Sequence, residues 1–200
     1  MQKLKILVLG DIHNSNEALR AINSHLGKFK YDLIICTGDV ISRPNKNAAD
    51  FFKKFIHIVT DLHKTKLYMV HGNNEDEDMI ALMNKKKVLI HLKNKKFKGY
   101  KFFGVGGWMD DLTDMDKLQK SLKNAILITH LPPKMAPKLP GEQGRQIKGN
   151  APKIHLCGHI HSSGSIWRIG GTLVVKIPSA MYLKAAVLEL PEKNVKFINL

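Results

Sequence analysis

Five short polar segments each follow an apolar stretch of the sequence, and they carry the side chains best suited to chemistry. In the first and the last segment, two possible ligand side chains are separated by one residue. These pairs are Asp11 with His13 and His159 with His161. On an extended backbone these side chains point to the same side, so each pair can bind one ion. The segments are Gly10-Asp11-Ile12-His13-Asn14, Gly38-Asp39-Val40, Gly72-Asn73-Asn74-Glu75, Thr129-His130-Leu131-Pro132 and Gly158-His159-Ile160-His161.

The residue types in these segments favour a site for two transition-metal ions. The carboxylate of Asp39 has two oxygens and can bridge two cations, and Asn73 offers a neutral amide oxygen. Imidazole mixed with carboxylate suits zinc, manganese or iron better than calcium, which prefers cages made only of oxygen. Two such ions roughly 3.5–4 Å apart can clamp a phosphoryl group and supply a hydroxide nucleophile.

Each segment taken singly also has a purely structural interpretation. Asp39 could cap a helix, Gly72-Asn73 is a turn signal, and a lone histidine after a strand is more often packed than bound to a metal. Taken singly, only Gly158-His159-Ile160-His161 favours the metal interpretation. Five such segments at successive strand ends favour one common site, because open α/β sheets place their ligand sites there.

The elements that must position these segments alternate between strand and helix in the first half of the sequence. The continuous apolar run Leu4–Leu9 is typical of a buried parallel strand, whereas Phe52, Phe55 and Val59 recur at helical spacing. Strands are predicted at residues 4–9, 33–37, 66–70, 88–92, 101–105, 125–129, 153–157, 166–169, 172–176, 183–190 and 195–198, with 88–92 and 101–105 as a hairpin or paired strands. Helices are predicted at residues 17–26, 48–63, 76–84 and 114–122.

The order of these elements predicts a single α/β domain over residues 1–200. Parallel βαβ units come first and a mostly antiparallel sheet follows. We expect two mixed β-sheets to stack with helices outside them, as a four-layer α/β/β/α sandwich. Residues 132–149 hold many of the prolines and glycines and are expected to form a loop with at most one short helix.

Composition predicts a globular protein of the cytoplasm. Hydrophobic residues make up 44% of the chain, and no uninterrupted apolar run is long enough to span a bilayer. The first apolar stretch ends at Gly10-Asp11 without a small-residue cleavage site, so no signal peptide is predicted. Cys36 and Cys157 argue against a disulfide framework, and a reducing compartment is the expectation.

The net charge of +15 leaves two interpretations of the lysines. One is a polyanionic partner, such as nucleic acid or an anionic membrane surface, and the other is a lysine-rich solvated surface. The lysines are dispersed, and the densest clusters, Lys85-Lys86-Lys87 and Lys93 to Lys98, have little aromatic interleaving. We therefore expect at most weak, nonspecific and salt-dependent nucleic-acid binding, without recognition of one sequence.

The ordered motifs resemble those of the calcineurin-like metallophosphoesterases, whose pattern is D-x-H, G-D, G-N-H-[D/E], H and then G-H-x-H. They span Asp11 to His161. The segments His155–His161, Gly104–Gly107 and Gly171–Val175 are similar to the small prokaryotic branch of predicted phosphoesterases. The resemblance implies hydrolysis of a phosphodiester or phosphomonoester with two divalent ions, whether manganese, iron, zinc or nickel. In that family a metal-bridging hydroxide attacks phosphorus in line.

Carried over by motif, the resemblance also implies the ligand set, with Asp39 shared between two ions. Asp39, His130 and Asn74 are the residues it associates with catalysis. The ligands implied for the first ion are Asp11, His13, Asp39 and His161. Those implied for the second ion are Asp39, Asn73, His130 and His159.

The sequence departs from the family pattern at two places. Asn74 stands where the family usually has a histidine, assigned as the acid for the leaving group or as a phosphate contact. An amide cannot deliver a proton at neutral pH, and loss of such an acid typically costs ~10²–10⁴-fold in rate. The residues after Asp39 also lack a further acid that many relatives carry. His71 and Arg43 are predicted to contact phosphate or replace the acid, although each could equally be a structural polar residue.

Two other functions stay open on the sequence alone. A nuclease is one, because the double-strand-break repair nuclease shares this fold and the chain is basic, although it lacks room for the extra domains of such nucleases. A protein-binding scaffold is the other, as in the retromer subunit, which has lost part of its metal set. Asn74 permits that interpretation, and the complete ligand set argues against it. A homo-oligomer is also compatible with the sequence.

Overall fold

The computed structural model describes residues 2–43, 47–107, 122–133 and 151–200, and within them the chain forms two β-sheets. The strands are β1 Leu4–Leu9, β2 Leu33–Cys36, β3 Lys66–Met69, β4 Asn94–Phe97, β5 Tyr100–Val105, β6 Ile126–Thr129, β7 Ile154–Cys157, β8 Ser165–Ile169, β9 Thr172–Lys176, β10 Lys184–Leu190 and β11 Asn194–Asn199. The helices are α1 Asn16–Lys28, α2 Ala48–Ile56 and α3 Glu77–Lys85, with a π-helix at His57–Leu62 and a 3₁₀ helix at Ala180–Tyr182.

The first sheet has the strand order β11-β10-β1-β2-β3. Strands β1, β2 and β3 are parallel, whereas β10 pairs antiparallel with both β1 and β11. Side chains of β1 alternate between two cores, because successive residues of a strand point to opposite faces. Ile6 and Val8 pack between the sheets, while Leu7 and Leu9 pack towards the helices. Both faces of β1 are therefore covered, which explains its continuous apolar sequence.

The second sheet has the strand order β4-β5-β6-β7-β9-β8. Its central strands β5, β6, β7 and β9 are parallel, and only the edge strands β4 and β8 are antiparallel to their neighbours. The prediction that this sheet is mostly antiparallel is therefore wrong. The physical reason is that β6, β7 and most of β9 are buried, as parallel strands covered on both faces are.

The predicted fold class, two stacked mixed sheets flanked by helices, is confirmed. Helix α1 begins after Ser15, whose hydroxyl accepts the N–H of Ala18, and it packs Leu19 and Ile22 against the first sheet. On the outer face of the second sheet, Leu122 packs in a separate small cluster. The predicted helix 114–122 and loop 132–149 lie mostly outside the described residues. In the ranges described, no helix combines the length and apolar character needed to cross a membrane.

The segment Val88–Leu92 is not a strand paired with β5, as the sequence predicted, and β4 takes that place instead. The segment passes from one sheet to the other and forms only isolated bridges. Met69 donates its N–H to the carbonyl of Val88, and the N–H of Leu92 donates to the carbonyl of Gly104. Val88, Leu89 and Ile90 are buried because the segment crosses the core, so this apolar run does not indicate a paired strand.

The predicted helix 48–63 changes its winding partway along. It is an α-helix from Ala48 to Ile56 and a π-helix from His57 to Leu62. The hydroxyl of Thr60 donates to the carbonyl of Ile56 and so competes with the backbone hydrogen bond at that turn. Helical spacing of apolar residues predicted the element but not this change.

Candidate metal centre

The five polar segments lie together at the carboxyl ends of β1, β2, β3, β6 and β7. Backbone hydrogen bonds fix the first two loops against each other. The N–H of Asp11 donates to the carbonyl of Gly38 at 3.0 Å, and the N–H groups of Ile12 and His13 donate to the carbonyl of Asp39 at 2.8 and 3.1 Å. The two loops that carry the first carboxylates therefore form one unit.

Four of the candidate ligands have a left-handed backbone conformation. Their φ angles are 54° at Asp11, 51° at His13, 52° at Asp39 and 71° at His159. A non-glycine residue in this region costs on the order of 1–3 kcal/mol, and such strain concentrates at functional sites. The conformation turns each side chain out of the regular strand direction, which a sequence motif does not reveal.

Asp11, His13 and His161 form the first cluster of possible ligand atoms. The Nε2 atoms of the two histidines are 2.9 Å apart. The carboxylate Oδ1 of Asp11 lies 3.4 Å from Nε2 of His161 and 3.9 Å from Nε2 of His13. Asp11 is fully buried and His161 is exposed, so the cluster opens to solvent on one side.

Asp39, His130 and His159 form the second cluster, and the amide of Asn73 joins it. The Oδ1 atom of Asn73 lies 2.8 Å from Nε2 of His130 and 2.9 Å from Nδ1 of His159. The two ring nitrogens are 3.0 Å apart. This cluster lies deeper than the first, because Asp39 and His130 are both buried.

The carboxylate of Asp39 lies between the two clusters. Its Oδ2 atom is 3.7 Å from Nε2 of His13 in the first cluster and 3.5 Å from Nε2 of His130 in the second. Asn74 holds this carboxylate from the side, because its N–H donates to Oδ1 at 2.9 Å and its Nδ2 donates to Oδ2 at 2.6 Å. The geometry therefore allows Asp39 to serve both clusters.

Neighbouring groups fix the orientation of the candidate ligands. Nδ1–H of His130 donates to the carbonyl of Thr37 at 3.0 Å, which leaves the lone pair of Nε2 directed into the site. Nδ1 of His13 lies 3.0 Å from the hydroxyl of Ser42. The sequence assigned no role to Thr37 or Ser42. Thr37 acts through its backbone carbonyl, which no motif marks, and Ser42 acts through a hydroxyl that lies outside the motifs.

Glu75 is a further site residue, to which the sequence assigned no role. Its buried carboxylate accepts the N–H groups of Val40 and Ile41 at 2.7 and 3.3 Å, and those of Gly72 and Asp39 at 2.6 and 3.0 Å. It thereby joins the loop of Asp39 to the loop of Asn73. Burial and the charge of Asp39 raise the pKa of Glu75 to about 7, although the backbone donors oppose this shift. The acidic position that ends the G-N-H-[D/E] motif was the available signal.

Glycine permits the close approach of those same two loops. Gly38 has a φ of 102°, and a Cβ there would collide with the backbone of Gly72. A Cβ at Gly72 would in turn collide with the carboxylate of Asp39. The G-D and G-N pairs in the sequence thus reflect the contact between the loops.

Burial shifts the pKa values of the site's histidines and of Asp11 in opposite directions. It lowers the pKa of His130 to about 4, and it lowers the pKa values of His13 and His159. These imidazoles are therefore neutral at physiological pH. Burial and then the charge of Asp39 raise the pKa of Asp11 to about 8.

The arrangement fits two divalent cations. Ligand atoms 2.0–2.1 Å from one ion are about 2.8–3.0 Å apart at octahedral angles and about 3.3–3.4 Å apart at tetrahedral angles. The short nitrogen–nitrogen and nitrogen–oxygen distances within each cluster match that spacing. Neutral imidazoles and carboxylates supply the charge and softness that zinc, manganese, iron or nickel require.

The sequence predicted three substrate contacts, Arg43, Asn74 and His71. Arg43 and Asn74 lie beside the candidate metal centre, whereas His71 is buried in the interior. Arg43 is exposed and donates two hydrogen bonds to Asn74. Its backbone N–H donates to the side-chain Oδ1 at 3.3 Å, and its Nε donates to the backbone carbonyl at 2.7 Å. His71 is only 2% exposed and packs against Gly106. This placement does not favour a phosphate contact by His71.

The two-sheet α/β sandwich and the two clusters of possible ligand atoms at the carboxyl ends of its strands fit a metal-dependent hydrolase. The chain belongs to the calcineurin-like phosphoesterase family, whose model matches residues 4–163. The family acts on phosphate esters, so the chain is placed among hydrolases of phosphate esters.

Similar proteins match the chain over nearly their whole length. The uncharacterized protein MJ1162 of Methanocaldococcus jannaschii is 26% identical over 203 residues, covering 86% of this chain and 87% of that protein. TT1561 of Thermus thermophilus has the same fold, with a TM-score of 0.74, 16% identity and 99% coverage of both chains. A dimetal phosphatase from Danio rerio also has it, with a TM-score of 0.63, 9% identity and 98% coverage of both.

Proposed function

We propose that the chain hydrolyses phosphodiesters or phosphomonoesters at a centre of two divalent metal ions that share Asp39. One observation carries the proposal. The two clusters of ligand atoms meet at the Asp39 carboxylate, which lies 3.7 Å from a nitrogen of the first cluster and 3.5 Å from one of the second. The fold that the chain has in common with a dimetal phosphatase supports the same interpretation.

Seven side chains would hold the two ions. When bound, the ions would neutralise the phosphoryl charge and supply an activated water for in-line displacement. The residues for the first ion are Asp11, His13, Asp39 and His161. The residues for the second ion are Asp39, Asn73, His130 and His159.

Arg43 and Asn74 are the chain's own groups for positioning the substrate. Arg43 is an exposed cation held beside the centre by its two hydrogen bonds to Asn74, so a phosphoryl oxygen arriving at the ions meets a positive charge there. Asn74 directs its amide at the shared carboxylate and so orients Asp39. Neither group releases a proton at neutral pH.

The substrate range follows from that lack of an acid. An activated phenolate leaves without a proton, whereas an alkoxide needs one in the transition state. We therefore propose that esters with good leaving groups are cleaved most readily, and that bis(p-nitrophenyl) phosphate is the first substrate to test.

The test is hydrolysis of that diester with manganese by wild-type protein and by the Asp39→Asn variant. The amide lacks both the charge and the second equivalent oxygen, so activity should fall below roughly a few per cent, as expected for loss of a catalytic metal. Circular dichroism should show an intact fold. Asp50→Asn is the matched control, because Asp50 is an exposed carboxylate paired with Lys53 on α2, and its activity should equal that of wild type. An inactive wild-type protein would favour the scaffold instead, and an active Asp39→Asn variant would mean that the bridge is assigned wrongly.

A further inference from the structure

One stretch of the chain concentrates positive charge on a single edge of the molecule. Residues 79–101 contain eight lysines and no aspartate or glutamate. Six of these lysines are exposed, and we call them the lysine edge. They are Lys85, Lys86, Lys87, Lys93, Lys95 and Lys96.

The fold joins the two halves of the lysine edge into one continuous surface. Lys85 ends α3, and Lys86 and Lys87 form the turn that follows it. Nζ of Lys93, just before β4, donates to Oδ1 of Asn84 at 2.8 Å and so brings the start of β4 to the end of α3. Strand β4 then runs along the outer edge of the second sheet. A line of lysines therefore follows one border of the sandwich.

The charges on the lysine edge are not compensated within the part of the chain that the structure describes. None of its six lysines forms an ion pair there. The charge of Lys86 contributes to the lowered pKa of the exposed carboxyl of Asp61, which is itself hydrogen-bonded to Thr60 and His57. Lys96 faces Lys101 directly across the β4–β5 pair, and like charges directly opposite destabilise such a pair. A bound anion would relieve this repulsion.

The lysine edge begins beside the candidate metal centre. Lys93 lies two residues after His91, whose Nδ1 accepts the N–H of Gly106 at 2.8 Å. The rings of His91 and His71 are 4.9 Å apart, and His71 precedes the loop that carries the ligand Asn73. A linear polyanion lying along β4 would therefore reach the rim of the centre.

We propose that the lysine edge binds the sugar–phosphate backbone of nucleic acid without sequence preference and presents one of its phosphodiesters to the metal centre. This inference rests on the proposed function, since it names the substrate class of that same site. Leu92, which is 49% exposed, is the one exposed large hydrophobic residue within residues 79–101, and Phe97 is half-buried with Nζ of Lys66 5.3 Å from its ring centroid. The lysine edge therefore has neither an apolar patch that could insert into a membrane nor an exposed aromatic ring on which bases could stack. This favours contacts to phosphate alone.

Fluorescence anisotropy with labelled duplexes of roughly 20 base pairs and unrelated sequences tests the proposal across about 50–300 mM salt. Two variants each remove three charges of the lysine edge. One control also removes three charges, from β10, β11 and the turn between them, which lie at the border of the sandwich away from the lysine edge. The variants are Lys85→Gln/Lys86→Gln/Lys87→Gln and Lys93→Gln/Lys95→Gln/Lys96→Gln. The control is Lys184→Gln/Lys193→Gln/Lys196→Gln.

Wild type should bind all duplexes equally and lose affinity steeply with salt. Each lysine-edge variant should bind about tenfold more weakly at low salt, with a salt slope smaller by about 2–3. The control should stay within about twofold of wild type. The rate of duplex cleavage relative to bis(p-nitrophenyl) phosphate cleavage should also fall in the two variants and not in the control.

Several results would overturn the proposal. Equal weakening by the control would mean that overall charge, not this surface, attracts the duplex. Tighter binding to phosphatidylserine vesicles than to duplex would replace nucleic acid by a membrane. If the Lys93→Gln/Lys95→Gln/Lys96→Gln variant aggregates but still binds duplex as tightly as wild type, these lysines serve to prevent edge-to-edge pairing of β4 between molecules. Absent duplex binding with intact diester hydrolysis refutes this inference alone, whereas an inactive wild type that still binds duplex refutes the proposed function instead.

Discussion

At the scale of single residues, Asn74 differs most from what its motif would place there. Its amide donates to the same Asp39 oxygen that lies between the two clusters, and its backbone carbonyl accepts the guanidinium of Arg43. An imidazole at this position would lie close enough to the centre to exchange a proton with a leaving group. The amide of Asn74 makes the hydrogen bond that orients Asp39 but cannot act as a general acid.

The Asn74→His variant tests that interpretation. It should accelerate alkyl phosphate esters by about tenfold or more and leave p-nitrophenyl esters nearly unchanged, because only the alkoxide needs a proton. Rates measured over substrates graded by leaving-group pKa give the answer. Asn194→His, a change at an exposed residue of β11, is the control. An equal response across the series would show that Asn74 only orients the loop.

Glu75→Gln should destabilise the protein, because four backbone N–H groups lose part of their buried acceptor. The amide would also direct its own donors at those N–H groups. We expect a loss of about 2–4 kcal/mol in the free energy of unfolding, measured with urea. Glu77→Gln, at an exposed residue in the first turn of α3, should change stability by less than about 1 kcal/mol. Equal stabilities for the two variants would mean that Glu75 does not hold the loops.

Among these residues, the sequence predicted those whose possible ligand atoms lie together in the two clusters and missed those that position them. Asp11, His130 and His161 were found because chemistry restricts their type and spacing. Thr37 acts through its carbonyl, which every residue has, so no pattern could single it out. His71 was grouped with the site by its proximity in sequence, but the strand end directs it into the interior.

At the scale of elements, strands β6 and β7 are joined by a buried polar contact next to a candidate ligand. Nε2 of His155 lies 2.8 Å from the hydroxyl of Thr129, which donates to the carbonyl of Leu131 at 2.6 Å. This chain of hydrogen bonds shapes the turn on which His130 lies. Burial lowers the pKa of His155 to about 3, so the ring stays neutral in the folded protein.

His155 should make the metal-free protein less stable in acid. Its pKa is about 3 in the folded state and near 6.5 when unfolded, so between those values only the unfolded chain takes up the proton. The buried neutral ring does not lower the free energy of unfolding above pH 6.5, but this free energy declines as the pH falls from 6.5 towards 3. The His155→Gln variant keeps a donor for Thr129 and should flatten the dependence of unfolding free energy on pH by roughly 1 kcal/mol per unit between pH 6 and 4. Parallel curves for the two proteins would contradict the buried neutral ring.

The elements found from sequence were those with a repeating pattern over their whole length. Apolar runs located β1, β2 and β3 because strands buried on both faces need apolar residues throughout. Val88–Leu92 has the same composition for another reason, since it crosses the core between the sheets. Pairing direction in the second sheet was also out of reach, because it depends on which strands become neighbours and not on any one strand's residues.

At the scale of the whole molecule, the fold places the candidate ligands at one end of the sandwich and the lysine edge along a border that begins beside them. The carboxyl ends of five strands from both sheets meet at one end of the sandwich, which brings together residues as distant in sequence as Asp11 and His161. The first cluster combines residues from loops after β1 and β7, and Asp39 enters from the loop after β2. A centre of this kind requires both sheets, and neither alone contains a complete ligand set.

Anomalous scattering from crystals of manganese-loaded protein tests the shared carboxylate most directly. Two peaks per chain are predicted, roughly 3.5–4 Å apart, with the Asp39 carboxylate between them. One should be bounded by Asp11, His13 and His161, and the other by Asn73, His130 and His159. A single peak, or two peaks that do not both contact Asp39, would contradict the dinuclear centre.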